Sequence, residues 1–152
     1  MPQTAVRHAL LFAALPLVLA ACDGAGTELD PFTTDLIDLD ALSQDPEALI
    51  GTWDLAASLN AETGVVTAGG SESVTFRRDG TATFDSGRST REVTYRVERR
   101  TYANGTRDAR PSLQFDGGGY GEDFGTAGDL LVLDSTPVDG PQSRYRRRQP
   151  AR

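Results

Sequence analysis

The chain has 152 residues and a formal net charge of −7; every base is arginine, and there is one cysteine and one histidine. That length fits one domain of ordinary size, and the acidic balance argues against nucleic acid, whose phosphates demand a net basic surface. One Cys and one His, the latter at position 8, supply neither a C-x-x-C pair nor a zinc ligand set, so no metal and no cofactor is expected.

Met1 to Arg7 is short and polar with one positive charge, and Ala9 to Ala21 is a nearly unbroken run of Ala, Leu, Phe and Val around Pro16. A charged start, a short apolar segment and small residues at its end form a secretory signal. The apolar run is too short for a transmembrane helix, which takes roughly 20 residues. It ends Leu19-Ala20-Ala21-Cys22, and in this Leu-small-small-Cys ending the sequence resembles bacterial lipoproteins. The resemblance implies that residues 1–21 are removed, that the Cys22 thiol receives a diacylglyceryl group, and that the new amino terminus is acylated as well. The competing expectation is an ordinary signal cut after Ala20 or Ala21, leaving a free thiol. Each buried methylene contributes about 0.8 kcal/mol and one chain holds only marginally, so two or three acyl chains on Cys22 would hold durably. The implied location is the bacterial cell envelope, at the inner or the outer membrane. Asp23 resembles an inner-membrane retention signal of some bacterial lipoproteins, but that rule does not hold across lineages.

Processing at Cys22 would leave a chain without His, Lys or Met, which removes most general-base and nucleophilic chemistry. An enzyme is therefore not expected; it would have to rely on carboxylates such as Asp54, Asp85 or Glu98, and no two of these are brought together by their spacing.

Residues 22–48 have the composition of an acidic tether. Asp23, Glu28, Asp30, Asp35, Asp38, Asp40, Asp45 and Glu47 occur without a single base, whereas from Gly51 onward 14 acids balance 14 arginines. Asp23 to Thr34 is expected to be flexible. Leu36, Leu39 and Leu42 have near-helical spacing, which predicts a short helix from Thr34. Asp45-Pro46-Glu47 predicts one helical turn with an aspartate cap, proline at the first position and an acid in the first turn. The contour from Cys22 to Gly51 allows a reach of roughly 100 Å, at about 3.5 Å per residue.

From Gly51 the period becomes two. Trp53, Leu55, Ala57 and Leu59 fall on one face of a first strand, and Gly64 to Thr67 forms a weaker one. Ser73–Arg77 and Thr81–Ser86 flank Arg78-Asp79-Gly80. A three-residue loop with Gly80 left-handed pairs Phe76 with Ala82 and Val74 with Phe84, giving one apolar face; a two-residue turn would mix the faces. Glu92–Tyr102 alternates Val93, Tyr95 and Val97 against Thr94, Arg96 and Glu98. Asn104-Gly105 marks a tight turn. Ser112–Phe115, Asp129–Leu133 and Ser143–Arg148 complete about eight short strands with no helix between them. Such a series predicts an all-β, antiparallel up-and-down meander, closed as a small barrel or curled as a sandwich.

Leu49 to Leu55, "LIGTWDL", resembles the G-x-W opening of lipocalin-like domains. Val74–Phe84 is similar to the second hairpin of small bacterial lipocalin-like lipoproteins, and Asp129–Arg148 to their closing strands. The resemblance covers residues 49–148, leaves 149–152 as a C-terminal tail, and implies a lipocalin-like barrel. It further implies a structural pair in which an arginine of the last strand covers the first-strand tryptophan: Trp53 with Arg147, or with Arg146 if the register slips by one. A Trp–Arg stack contributes roughly 0.5 to 2 kcal/mol. With about 100 residues in eight strands the walls are short, and such a barrel either is filled by its own side chains or holds one small ligand.

Gly118 to Asp123, "GGYGED", matches the core of a calcium-binding nonapeptide but occurs once, and Gly125 takes its apolar slot, so a loop is expected instead. Its Tyr120 and Phe124 are candidates to line a barrel mouth. "SRYRRR", Ser143 to Arg148, predicts a solvated strand face, with anionic lipid, glycan or the acidic tether as alternative contacts. Two functions follow as expectations: a lipid-anchored envelope protein whose barrel binds a small apolar ligand, or a structural or adaptor lipoprotein with a filled barrel and a protein partner yet to be identified.

Overall fold

The computed structural model describes residues 29–101, 110–117 and 121–150. Nine strands follow one another: β1 (Gly51–Leu59), β2 (Val66–Ala68), β3 (Ser73–Phe76), β4 (Thr81–Asp85), β5 (Thr90–Arg100), β6 (Arg110–Phe115), β7 (Glu122–Ala127), β8 (Leu130–Asp134) and β9 (Gln142–Arg147). All pairings are antiparallel. From β3 to β9 each strand lies beside the next, and β9 returns to pair with β1. Eight strands therefore close a barrel, while β2 adds only to the far half of β1, at Ala57 to Leu59. This is the all-β meander that the period-two pattern predicts, and it is consistent with a lipocalin-like fold.

The hairpin between β3 and β4 has the register that gives a clean apolar face: Phe76 opposes Ala82, Val74 opposes Phe84, and Gly80 is left-handed at φ 80°. Directly opposed residues share a face, so Val74, Phe76, Ala82 and Phe84 point inward together. There they meet Trp53, Leu113, Phe124, Leu131 and Leu133, and Val93, Tyr95, Val97, Phe115 and Tyr145 pack against that cluster. Phe76 and Tyr95 meet edge to face at 5.2 Å, as do Phe84 and Phe115 at 5.4 Å.

Two features depart from the alternation read along the chain. In β1 the pairing with β9 shifts between Leu55 and Ala57. Trp53 opposes Arg147 and Leu55 opposes Tyr145, but Ala57 opposes Arg144 and Leu59 opposes Gln142, residues on the other face of β9. The extra residue of a bulge, Ala56, thus flips Ala57 and Leu59 to the outside. The second feature is β7, whose sequence EDFGTA carries too little apolar alternation to read as a strand. Phe124 points into the core, while Gly125 on the opposite face gives a close approach to another segment.

That segment is the described part of the expected tether. Residues 29–44 lie against the outer face of β7 to β9. Leu39 is buried with Leu130 and Val132, and Leu29, Ile37 and Leu42 pack around them. A Cβ on Gly125 would stand 2.7 Å from Leu42 Cβ, so only glycine lets the strap pass. β6 and β7 share just two pairs, Ser112 with Asp123 and Leu113 with Glu122. Ser43 takes up the β7 edge lower down: its N–H donates to Thr126 O at 2.9 Å, and Thr126 N–H donates back to Ser43 O at 2.8 Å. The helix expected from Thr34 is replaced by one 3-10 turn at Leu39–Ala41, capped by Asp38, because Leu39 and Leu42 turn to the barrel while Leu36 remains exposed. The second turn, Pro46–Leu49, has the predicted cap: Asp45 Oδ1 accepts from Glu47 N at 3.0 Å.

Candidate functional site

The two ends of the barrel differ in chemistry. The end reached by Gly51, Gly80 and Arg147 is closed: the Pro46–Leu49 turn lies across it, with Leu49 buried in the core. Trp53 is fully buried, and its Nε1–H donates to Leu49 O at 2.7 Å. The Arg147 guanidinium lies 4.0 Å from the Trp53 ring centre. Its Nη1 donates to Ile50 O at 2.8 Å and its Nη2 to Ala48 O at 2.7 Å. Gly51 has φ 137°, and a Cβ there would sit 2.6 Å from Arg147 Nη1. The Gly51-Thr52-Trp53 opening of β1 therefore has two requirements: a bare backbone for the arginine to reach past, and an indole for it to cover. Arg146, the competing choice, faces outward, where Nη1 meets Asp129 Oδ1 at 2.6 Å and Nη2 meets Leu29 O at 3.1 Å.

Arg144 shows what else the arginine run does. It is wholly buried between β9 and the strap. Nη1 donates to Pro31 O at 3.0 Å and to Thr33 O; Nη2 donates to Asp35 O at 2.6 Å; and Gln142 Oε1 accepts from Nε at 3.3 Å. Burial lowers its pKa, while Asp30 and Asp35 oppose that shift. Gln142 bonds both backbone groups of Ile37, at 2.9 and 3.0 Å. The acidic stretch and the basic strand do meet, chiefly through backbone carbonyls rather than carboxylates.

At the opposite end the barrel is open, and Glu72, Ser73, Phe84, Asp85, Ser86, Ser89, Arg91 and Tyr145 line a cup of about 270 Å³. Its size is set by what fills the barrel beneath it, where Trp53, Phe76, Phe124, Leu113 and Leu131 are all fully buried. Ligand pockets for drug-sized molecules run from about 300 to 1,000 Å³, so the cup suits something smaller. Tyr145 forms part of its wall, its pKa pushed up first by burial and then by the charges of Glu122 and Glu72. Glu122 shares the inward face of β7 with Phe124; burial raises its pKa, against a 3.1 Å hydrogen bond from Ser135 Oγ. A larger, polar cleft of about 650 Å³ lies between the β1–β2 turn at Asn60–Glu62 and the β8–β9 turn at Thr136–Gly140. None of its described lining residues is aromatic.

The sequence-derived site residues are thus dispersed. Trp53 and Arg147 meet at the closed end. Phe124, expected at a mouth, is instead enclosed in the core, because β7 continues past it and the strap covers the strand's outer face. Tyr120 and the Leu19-Ala20-Ala21-Cys22 motif lie outside the described residues, as does the Asn104-Gly105 turn. Asp54 is bound by Arg148 at 3.1 Å on the outer face, where Ser73 stands between it and Asp85 in the strand register. No group of three or more His, Cys, Asp or Glu able to hold a metal ion occurs among the described residues. The cup residues Phe84, Arg91 and Tyr145 were not singled out by spacing; they come from three strands, and only closure of the barrel brings them together.

Comparison with protein-family models, with curated proteins and with solved structures returned no match for the chain.

Proposed function

We propose that the chain is a lipid-anchored protein of the bacterial cell envelope whose barrel takes one small, largely apolar ligand in the cup at its open end. The observation that carries the ligand part is an aromatic cup, walled by Phe84 and Tyr145, above a packed floor. A filled lower barrel makes the walls rigid and leaves the mouth as the place where a guest displaces water from apolar surface. The anchor rests on the Leu19–Cys22 motif and on the durability of multiple acyl chains.

Intact-mass measurement on membrane-extracted protein tests the anchor: the expected chain begins at an acylated Cys22, and one that begins at Met1 or has a free thiol refutes it. Titration of the mature chain with N-phenyl-1-naphthylamine, a neutral fluorophore, tests the cup. Saturable one-to-one enhancement that Phe84→Ala weakens is expected. The packed interior favours a second reading, an adaptor with no small-molecule ligand, and that reading takes over if the fluorophore does not bind.

A further inference from the structure

We propose that the cup selects an anion, a small molecule with an apolar or aromatic body and a carboxylate head held by Arg91; this rests on the cup being a ligand site. The argument starts from how the described arginines are engaged. Arg77, Arg78, Arg96, Arg110, Arg146 and Arg148 are in ion pairs. Arg100, Arg144 and Arg147 donate to backbone carbonyls, and Arg99 also has a partner. Among the described arginines, Arg88 and Arg91 are the two with no hydrogen bond or ion pair, and both are at the mouth, in or just after the β4–β5 turn.

Arg91 is placed to use that freedom. It opposes Phe84 across β4 and β5, so it shares the inward face, and its guanidinium carbon lies 5.5 Å from the Phe84 ring centre. Stacking on an aromatic face leaves the edge donors of a guanidinium available for a carboxylate, which it can grip with two parallel hydrogen bonds. A guest lying against Phe84 and Tyr145 would bring its head group to that edge, with the hydroxyls of Ser73, Ser86 and Ser89 on the same rim. Two acids also line the cup. Asp85 Oδ1 is taken by Gly87 N–H at 2.8 Å, which shapes the turn, and Glu72 O accepts from Leu55 N at 2.9 Å, with Leu55 opposite Tyr145, which puts Glu72 on the Tyr145 side. The cup is therefore polarised, and the Glu72 charge orients a single anionic head toward Arg91 while opposing a second negative charge.

Three probes with one body and different heads decide it: 3-phenylpropionate, 3-phenylpropanol and 3-phenylpropylamine, each competing against N-phenyl-1-naphthylamine at low salt. The expected order is carboxylate first, by roughly fivefold to tenfold over the alcohol, with the amine weakest. The preference should shrink as salt is added. Arg91→Gln should bring the ratio of carboxylate to alcohol affinity to about one, while Arg91→Lys keeps part of the preference. A carboxylate no tighter than the alcohol, a tighter amine, or a preference that survives Arg91→Gln overturns the inference while leaving the cup intact as a site. Failure of the alcohol and the fluorophore to bind overturns the cup itself.

Discussion

Replacing Arg144 with methionine keeps the apolar stem and removes the guanidinium that joins the strap to β9. If the strap stayed in place, the carbonyls of Pro31, Thr33 and Asp35 would lose their donor in a dry interface, at about 1 to 3 kcal/mol each. Releasing residues 29–37 is the cheaper response, because those carbonyls then return to water. What holds the strap otherwise is the burial of Leu39, worth about 1.5 to 3 kcal/mol, together with five hydrogen bonds at Ile37 and Ser43 and one from Arg146 to Leu29 O, each about 1 kcal/mol net, and the Arg110–Asp40 ion pair. Ordering the segment opposes these gains. We expect the strap to open more easily by about 3 kcal/mol, roughly a hundredfold in the opening constant. Hydrogen exchange at the Ile37 amide, which donates to Gln142 in the docked state, reads this directly. Trp53 emission and far-ultraviolet circular dichroism should stay native. Unchanged Ile37 protection in Arg144→Met would refute the reasoning, since the strap would then owe nothing to the guanidinium.

Gly125→Ala attacks the same interface from the other side: its Cβ would meet Leu42 Cβ at 2.7 Å and Leu39 Cδ2 at 3.3 Å, and urea titration should show a loss of about 1 to 3 kcal/mol. Arg147→Ala removes the cover of Trp53 and two hydrogen bonds, for an expected loss of about 2 to 4 kcal/mol with a red shift in tryptophan emission as water reaches the ring. Glu122 has a folded-state pKa raised by burial, so the native state holds its proton more tightly than the unfolded chain does. Its contribution is most favourable below the ordinary carboxylate range and is lost as pH rises through the raised value. Glu122→Gln should therefore raise the melting temperature at pH 8, leave it nearly unchanged at pH 3.5, and flatten the dependence between; an equal shift at both pH values would count against the buried-carboxylate account.

The parts legible in the sequence are those governed by short-range rules. Period-two alternation marks β3, β4 and β5, and Gly80 fixes their hairpin register, because sheet faces and turn geometry are local. Pro46 and Asp45 announce their turn for the same reason. Trp53 and Arg147 are far apart in sequence, and it is the lipocalin-like resemblance that links them. What escaped is decided by contacts across the barrel wall. The flip at Ala56 depends on how β9 pairs, which residues 51–59 do not encode. β7 looks like a glycine-rich loop because the strap, not a side chain, covers Gly125. The strap looks like a solvated tether because its carboxylates dominate the composition, yet its docking relies on backbone carbonyls that every sequence possesses. The cup is hidden for a similar reason: Phe84, Arg91 and Tyr145 become neighbours only on closure.

Under the proposed lipid anchor at Cys22, docking of the strap also changes how far the barrel could travel from the membrane. With the chain pinned from Leu29 onward, a lipid on Cys22 would be separated from the barrel wall by at most about 25 Å of extended backbone. A folded domain on so short a leash would patrol a thin layer above the bilayer, and its guests and neighbours would have to come to it there. Peeling the strap away would lengthen the leash about fourfold, so in an anchored molecule the grip of one buried guanidinium would set the radius of action.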